Sequence, residues 1–512
     1  MTPPNSRHRH SARSAGVLLH PTSLPGRFGV GDLGPAAHAW IDALARAQQG
    51  WWQVLPLAPT GYGDSPYACL SAFAGNPTLV SPDLLLRDGL LRHGDLGEPD
   101  FAADRIDFGR VIPYKSRLLH TAWEHFRSGE APALRWEFEG FCARHSAWLE
   151  DYVLFSALKD AHGGGSWLDW EQNFVFRDPH TLSSARERLA DAIDEHRFRQ
   201  FLFFRQWAEL RQHAQARGVR ILGDAPIFVA VDSADVWSHP EFFKLDEQRR
   251  PRVVAGVPPD YFSETGQLWG NPLYDWEVLW RDGYQWWIDR LRAMLDLVDL
   301  VRIDHFRGFE GYWEIEAGMP TAEKGHWVPG PNAALFDKLR AALGSLPILA
   351  EDLGVITPEV DALRERLDLP GMCVLQFAFH GDPNERFLPH RHERNSAVYT
   401  GTHDNDTSRG WHAKLSEKER KFFDSYLGRE SGDTAWDLMR LAWGSVANTA
   451  IAPFQDALDL GSEARMNYPS RASGNWTWRF TEEQCTDAVL DRLGELTETY
   501  GRAPDTATTP AE

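Results

Sequence analysis

Short apolar runs recur along this 512-residue chain, each about as long as a β-strand. They are continuously apolar rather than alternating, which is typical of parallel strands that are buried on both faces. Helical patterns separate most of them, and such an alternation indicates an α/β fold. Eight runs favour a closed (β/α)8 TIM barrel over an open sheet. The predicted strands are 15–19, 51–55, 219–222, 300–303, 348–350, 373–377, 397–400 and 449–453.

Helical periodicity fills the segment before several of these strands. In one segment Thr357 is predicted as the N-cap and Pro358 as the first helical residue, where its missing N–H leaves no bond unmade. Trp286 and Trp287 fall within another segment, and we expect them to pack against the sheet. The predicted helices of this kind cover 35–48, 284–297, 332–343 and 357–367.

Two connections are too long for the simple loops of a barrel. Residues 65–200 are predicted to form a largely helical insertion, with helical patterns over 134–162 and 183–217. Residues 228–282 are predicted to form a second insertion, a loop subdomain rich in Pro, Gly and aromatic residues. In a barrel both insertions would emerge on one rim, where they could form the walls of a cleft.

The barrel and its insertions are predicted to form a single catalytic domain over residues 15–500. The polar tails at 1–14 and 503–512 are expected to be disordered. The first tail lacks the apolar core of a secretory signal, so a cytoplasmic protein is expected. No apolar stretch approaches the roughly 20 residues that span a bilayer, which argues against a membrane protein.

The composition narrows the choice of ligand. The net charge of −20 argues against an extended nucleic-acid interface, because phosphate binding needs a positive field. The four cysteines lie far apart without a Cys-x-x-Cys pair, so we interpret them as reduced and expect no zinc site. The chain has 22 Trp and 12 Tyr, and aromatic residues at polar turns suit a sugar, whose apolar C–H faces stack on rings.

Three carboxylates stand where an apolar run ends in a polar turn: Asp304, Glu351 and Asp404. Acids at the ends of buried strands are costly to desolvate, so they rarely occur there without a role. In a parallel barrel the carboxyl ends of the strands carry the catalytic residues. The sequence therefore predicts an active site at this rim.

The neighbours of the three acids suggest different roles. Arg302 and Asp304 point to the same face of their strand, and their pairing would keep Asp304 ionised, as a nucleophile requires. Glu351 has no adjacent cation, so burial could raise its pKa and leave it protonated as a general acid. Asp404 follows His403 and could bind ligand hydroxyls. Two carboxyl groups in such opposed environments fit the cleavage of a glycosidic bond, with retention if they lie about 5–5.5 Å apart.

Other interpretations of these acids exist. An acid after a strand is more often a helix cap or an ion-pair partner, although three together weaken that interpretation. A metal-dependent barrel hydrolase would carry His-x-His on its first strand, whereas this chain offers only His20 there. No metal or cofactor is therefore expected.

Four short motifs resemble the catalytic segments of the α-amylase superfamily. They are Gly-Asp-Ala-Pro at 223–226, Arg-Ile-Asp-His at 302–305, Ala-Glu-Asp at 350–352 and Thr-His-Asp-Asn at 402–405. Ala225 departs from the pattern, since a bulkier apolar residue is common at that position.

A longer motif is more specific. Pro-Pro-Asp-Tyr-Phe-Ser-Glu-Thr-Gly-Gln-Leu-Trp-Gly-Asn-Pro at 258–272, together with 16–25, 61–67 and 71–77, is similar to the amylomaltases. These are the 4-α-glucanotransferases of glycoside hydrolase family 77, to which the plant disproportionating enzymes are related. The resemblance covers residues 15–480, nearly the whole chain.

This resemblance implies a retaining barrel enzyme without a C-terminal β domain. It would move α-1,4-glucan segments to the 4-hydroxyl of an acceptor glucan, glucose or maltose, and such enzymes can also form cycloamyloses. It implies Asp304 as nucleophile, Glu351 as acid/base and Asp404 as transition-state stabiliser. The implied substrate-binding residues are Asp224, Arg302, His305 and His403 at the cleavage point, and Tyr67, Trp269, Asn271 and Asn467 at neighbouring subsites.

Transfer requires that a bound acceptor outcompete water, through orientation and through exclusion of water from the site. Segment 258–272 has the composition of a lid, and we expect Tyr261, Phe262 and Trp269 to lie over the acceptor. Gly266 and Gly270 could permit tight turns or hinging. A turn that packs its aromatic residues inward is the alternative. An α-1,4-glucan hydrolase and a catalytically inactive glucan-binding scaffold remain the rival functions.

Overall fold

The computed structural model describes residues 13–259, 263–469, 471 and 473–504, and this part of the chain forms two sheets. One sheet has eight strands and the other has four. The strands are β1 (Ser14–Leu18), β2 (Trp51–Gln53), β3 (Arg220–Pro226), β4 (Val253–Val257), β5 (Gln267–Pro272), β6 (Leu300–Asp304), β7 (Gly311–Glu316), β8 (Gly325–Pro329), β9 (Ile348–Ala350), β10 (Gly371–Val374), β11 (Ser396–Tyr399) and β12 (Thr449–Pro453).

The larger sheet is an almost closed parallel barrel. Its strand order is β10-β11-β12-β1-β2-β3-β6-β9, and all neighbours run parallel. The Ala350 N–H donates to the Pro370 carbonyl oxygen at 2.9 Å, which joins the end of β9 to the start of β10. The predicted (β/α)8 barrel is confirmed, and each of the eight predicted runs overlaps one barrel strand.

Helices cover the outside of the barrel and fill the insertions. Trp286 and Trp287 are buried in α10, against the barrel, and Pro358 begins α12 after Thr357. In the described residues the α-helices are α1 (Pro35–Arg46), α2 (Pro82–Arg87), α3 (Phe108–Arg127), α4 (Ala133–Ala161), α5 (Gln172–Val175), α6 (Pro179–Arg188), α7 (Ala190–Ala216), α8 (Ala234–Ser238), α9 (Trp276–Arg281), α10 (Gln285–Leu297), α11 (Ala333–Leu343), α12 (Pro358–Arg366), α13 (Ser408–Lys414), α14 (Glu417–Leu427), α15 (Thr434–Gly444), α16 (Phe454–Ala457) and α17 (Asp487–Thr499).

The helical pattern over 183–217 is two helices rather than one. Asp178 accepts a hydrogen bond from the Thr181 N–H at 2.8 Å, and Pro179 begins α6. This cap and proline start the first helix earlier than its apolar pattern indicates. At Leu189 ψ is 18°, so the chain leaves the helical conformation for one residue before α7 begins.

The second sheet was not predicted from the sequence. Its order is β5-β4-β7-β8, and all neighbours are antiparallel. β4 and β5 come from the connection after β3, where the sequence predicted a Gly- and Pro-rich loop. β7 and β8 come from the connection after β6, for which no sequence pattern predicted an insertion. This sheet is therefore built from two segments that lie far apart in the sequence.

Side chains of β6 alternate between the two faces of the barrel wall. Val301 and Ile303 join the core between the strands and the surrounding helices, whereas Arg302 and Asp304 face the interior. A separate apolar cluster, which includes Leu222, fills the rest of the interior. In the part of the chain that the structure describes, no helix is long and apolar enough to span a bilayer.

Candidate active site

The carboxyl ends of β3, β6 and β9 bring the predicted acids to one rim. In the sheet register Asp224 lies beside Arg302, and Ile303 lies beside Ala350. Asp304 therefore ends β6 next to the strand that leads into Glu351. This adjacency follows from parallel pairing, because neighbouring strands reach the same rim with their carboxyl ends.

The guanidinium of Arg302 holds two carboxylates at once. Its Nη1 donates to both oxygens of Asp224 at 2.8 and 2.7 Å, and its Nη2 donates to Asp304 Oδ1 at 2.7 Å. Burial alone would lower the pKa of Arg302, but Asp224 and Asp304 raise it well above its ordinary value. The arginine therefore stays charged. Strand alternation predicted its pairing with Asp304, and the structure adds Asp224 as a second partner.

Glu351 lies against the turn that follows β6. Its Oε2 accepts a hydrogen bond from the His305 N–H at 2.7 Å, and its Oε1 accepts one from the Leu353 N–H at 2.8 Å. Burial first, and then the charge of Asp304, raise the pKa of Glu351 to about 7, although Arg302 and the two N–H donors oppose this. At neutral pH this carboxyl can therefore act as an acid or a base.

Asp404 lies at the opposite side of the rim, after β11. Asn467 Nδ2 donates to its Oδ1 at 2.6 Å, and His403 Nε2 lies 3.4 Å from the same oxygen. Desolvation would raise the pKa of Asp404, but the nearby charge of His403 and the hydrogen bonds from His403 and Asn467 hold it well below its ordinary range. Asp404 is therefore a fixed negative charge in the cleft.

Aromatic rings form one wall beside these acids. The Tyr67 hydroxyl donates to Asp224 Oδ2 at 2.9 Å, and the Tyr67 ring stacks on His403 with centroids 4.9 Å apart. Trp476 completes the group, 6.1 Å from Tyr67 and 5.9 Å from His403. Trp476 was not among the predicted site residues, although its place after Gly474 and Asn475, beyond the last strand, was an available signal.

The second sheet supplies the facing wall through β5. Trp269 is 38% exposed and meets the His305 ring edge-on at 4.7 Å. His305 has a φ of 57°, and its buried Nε2 has no hydrogen-bond partner among the described residues. Asn271 donates its side-chain amide to the Val229 carbonyl oxygen at 2.8 Å. Tyr261 and Phe262, which were expected in the same wall, lie outside the described residues.

A cleft of about 490 Å³ lies between the two walls. This volume is in the range of small-ligand sites. The cleft combines aromatic faces with carboxylates, as a sugar-binding site requires. Eight of the predicted site residues line it: Tyr67, Trp269, Asn271, Asp304, His305, His403, Asp404 and Asn467.

This protein is a parallel barrel whose carboxyl rim carries acids with pKa values shifted in opposite directions, beside a cleft with aromatic walls. These features together define a class of carbohydrate-active enzymes. The comparison with known proteins is more specific. The family model described as 4-alpha-glucanotransferase, glycoside hydrolase family 77, matches residues 19–485. The chain therefore belongs to the 4-alpha-glucanotransferase family, and the protein is a glucan-transferring enzyme.

Individual relatives span nearly the whole chain. The 4-alpha-glucanotransferase of Thermus thermophilus is 52% identical over 497 residues, which cover 95% of this chain and 99% of the relative. That of Synechocystis sp. is 51% identical over 495 residues, covering 96% and 98%. The structure of the amylomaltase from Streptococcus agalactiae in complex with acarbose superposes with a TM-score of 0.93 at 36% identity, covering 96% of this chain and 100% of that one.

Proposed function

We propose that the protein is a retaining 4-α-glucanotransferase that works through a covalent glycosyl-enzyme on Asp304. The carboxylate of Asp304 attacks the anomeric carbon of an α-1,4-glucan while Glu351 gives its proton to the departing 4-oxygen. The 4-hydroxyl of an acceptor glucan, glucose or maltose then displaces Asp304, and Glu351 takes the hydroxyl proton. The observation that carries this proposal is the placement of two carboxyl groups at one rim: Arg302 donates to Asp304 at 2.7 Å, and the buried Glu351 accepts from the His305 N–H directly after Asp304. Burial and the charge of Asp304 raise the pKa of Glu351, which suits an acid/base.

The same charges explain how Glu351 could change roles within one cycle. The negative charge of Asp304 helps to raise the pKa of Glu351. When Asp304 becomes an ester, that charge disappears, so the pKa of Glu351 falls and the carboxyl becomes a better base at the moment when a base is needed. The cycle ends with both groups in their starting states.

Asp404 is proposed to stabilise the transition state. The glycosyl carbon carries positive charge as the bond breaks, and a carboxylate held ionised by His403 and Asn467 would oppose that charge. Asp224, Arg302, His305 and Tyr67 are proposed to contact the sugar at or near the cleavage point. The hydrogen bonds that link Tyr67, Asp224 and Arg302 support this assignment, because they fix these groups beside Asp304.

Trp269 is proposed to orient the acceptor together with Tyr261 and Phe262. Its partial exposure within the cleft supports a stacking role for a sugar ring. We expect Trp269→Ala to shift the products of maltotriose from longer oligosaccharides toward hydrolysis, measured as glucan transfer against new reducing ends. An unchanged ratio would contradict the role of Trp269 but would not bear on the roles assigned to the catalytic acids.

Incubation with maltotriose tests the proposed activity directly. A ladder of longer maltooligosaccharides is expected, whereas shortening alone would indicate a hydrolase. We expect Asp304→Asn to lower kcat at least about 10³-fold, because the nucleophile is lost. Asp337→Asn, at an exposed position of α11, is the matched control and should transfer normally. Full transfer by Asp304→Asn would exclude the nucleophile assignment.

A second experiment isolates the acid role of Glu351. Glu351→Gln should lose natural glucan transfer but recover rate with an α-glycosyl fluoride, because fluoride leaves without a proton. The covalent glycosyl-enzyme should then accumulate and be visible by mass spectrometry.

A cytoplasmic location is part of the proposal, supported by the free thiols of all four cysteines.

A further inference from the structure

A groove outside the barrel is larger than the cleft that holds the acids. It lies between α4, α7 and α10 and encloses about 690 Å³, against about 490 Å³ for the cleft. The parts of α7 and α10 that line it lead into the amino ends of β3 and β6. The groove therefore lies toward the rim opposite the acids, and it is not a continuation of the catalytic subsites.

Helical periodicity explains why aromatic side chains line this groove. Trp136, Gly140, Arg144 and Trp148 follow one another at intervals of four residues, so they share one face of α4. Trp148 and Phe204 of α7 pack with centroids 5.8 Å apart and form the floor. Trp136 stands at the margin with 82% of its surface exposed, which is unusual because tryptophan side chains are on average largely buried.

Small residues keep the space between the helices open. Gly140, Ala208 and Ala293 each line the groove, one on each helix. The walls are fixed by bonds between α7 and the end of α10: Trp207 Nε1 donates to the Leu297 carbonyl oxygen at 2.9 Å, and Arg211 donates to the Asp296 carbonyl oxygen. The groove is therefore preformed rather than opened by a ligand.

The charges of the groove match a neutral ligand with many hydroxyls. Arg205 pairs with Glu137, and Arg211 pairs with Asp299, so most of the cationic charge is already compensated. In the described chain the side chains of three further lining residues make no hydrogen bond or ion pair: Arg144, Gln212 and Gln215. They can donate to sugar hydroxyls at the margin while the rings stack on C–H faces.

We propose that this groove is a second glucan-binding site, which holds a polymeric α-glucan away from the cleft. The inference rests on the proposed glucan substrate, but it requires none of the catalytic assignments. We expect this site to strengthen the binding of long glucan chains and not of short ones. A site on the opposite rim raises the local concentration of a polymer near the enzyme, whereas a trisaccharide gains nothing from it.

Kinetics with short and long donors test the site. We expect Trp136→Ala to raise the apparent KM for amylose about two- to tenfold, the range for the loss of one aromatic stacking partner. Its kcat/KM for maltotriose should equal that of the unchanged protein, which also shows that the fold is intact. Trp280→Ala is the matched control, because Trp280 is also a surface tryptophan, 60% exposed, but lies on α9 outside the groove.

Binding without turnover gives an independent measurement. In the Asp304→Asn background, retardation in native gels that contain amylose should weaken with Trp136→Ala and with Ala208→Phe, which fills the groove. Trp280→Ala should leave it unchanged. Equal retardation of all variants, or an equal loss with Trp280→Ala, would overturn the second site. The catalytic proposal fails separately, if Asp304→Asn alone still transfers glucan.

Discussion

At the scale of single residues, burial and the charge of a neighbouring carboxylate together set the protonation of Glu351. Glu351 has no cation of its own, and its two N–H donors favour the ionised form. Burial and the neighbouring Asp304 nevertheless raise its pKa to about 7. Arg302, in turn, is held charged by Asp224 and Asp304. The acid/base behaviour of the site is therefore a property of the group of charges rather than of any residue type.

A pH dependence follows from the pKa of Glu351. The protonated form is the acid, and with a pKa of about 7 its fraction falls as pH rises through 7. We expect kcat/KM for maltotriose to decline on the alkaline side with a midpoint near pH 7. With an α-glycosyl fluoride and Glu351→Gln this decline should disappear. A midpoint near 4.5, the ordinary value for a glutamic acid, would contradict the assignment.

At the scale of secondary structure elements, the second sheet positions the wall that faces the acids. β5 carries Trp269, and its neighbour Leu268 pairs with Gly256 of β4. A Cβ at Gly256 would lie 2.3 Å from the Gln267 carbonyl oxygen, so only glycine lets the two strands approach this closely. The position of Trp269 thus depends on a residue that never contacts the cleft.

We predict that Gly256→Ala lowers transfer activity on maltotriose at least about tenfold while the barrel remains folded, because β5 must move and Trp269 moves with it. Gly311→Ala is the matched control in the same sheet. A Cβ at Gly311 would meet its nearest atom, the Val328 carbonyl oxygen, at 3.5 Å, which is an ordinary contact. Circular dichroism and kcat/KM of both variants provide the comparison. Equal activity of the two variants would show that strand spacing does not position the wall.

At the scale of the whole molecule, one buried acid helps to close the barrel between β9 and β10. Asp352 follows β9, and its Oδ1 accepts a hydrogen bond from the Met372 N–H of β10 at 2.6 Å. Its Oδ2 lies 3.3 Å from Arg364 Nε of α12. Asp352 is 4% exposed, and it stands where the two strands share few backbone hydrogen bonds. The side chain of Asp352 therefore supplies a hydrogen bond between β9 and β10 where backbone hydrogen bonds are few.

Replacing this acid should destabilise the whole fold. We expect Asp352→Ala to lower the free energy of unfolding by about 3–5 kcal/mol, because a buried Arg364 loses its nearest carboxylate and a strand N–H is left unsatisfied. Asp361→Ala removes a more distant, 44% exposed carboxylate near Arg364 and should cost less than about 1 kcal/mol. Chemical denaturation of both variants measures the difference. Similar stabilities would mean that the closure does not depend on Asp352.

The strands, many of the helices and the placement of the acids could be predicted from local patterns. Each apolar run marks a strand because a strand that is buried on both faces must be apolar throughout. The period of two places Arg302 beside Asp304 with no knowledge of the fold. The second sheet could not be predicted in this way, since β4 pairs with β7 of a distant segment, and no local pattern records that pairing.

The sequence by itself determined the barrel class, the strand-end position of Asp304, Glu351 and Asp404, and the resemblance that the family match confirmed. Tertiary structure alone decided the bond between Arg302 and Asp224, which lie 78 positions apart, and the place of Trp476 in the wall. It also decided the pKa of Glu351. The physical reason is that periodicity is a property of neighbouring residues, whereas desolvation and charge pairing depend on which distant segments share a site.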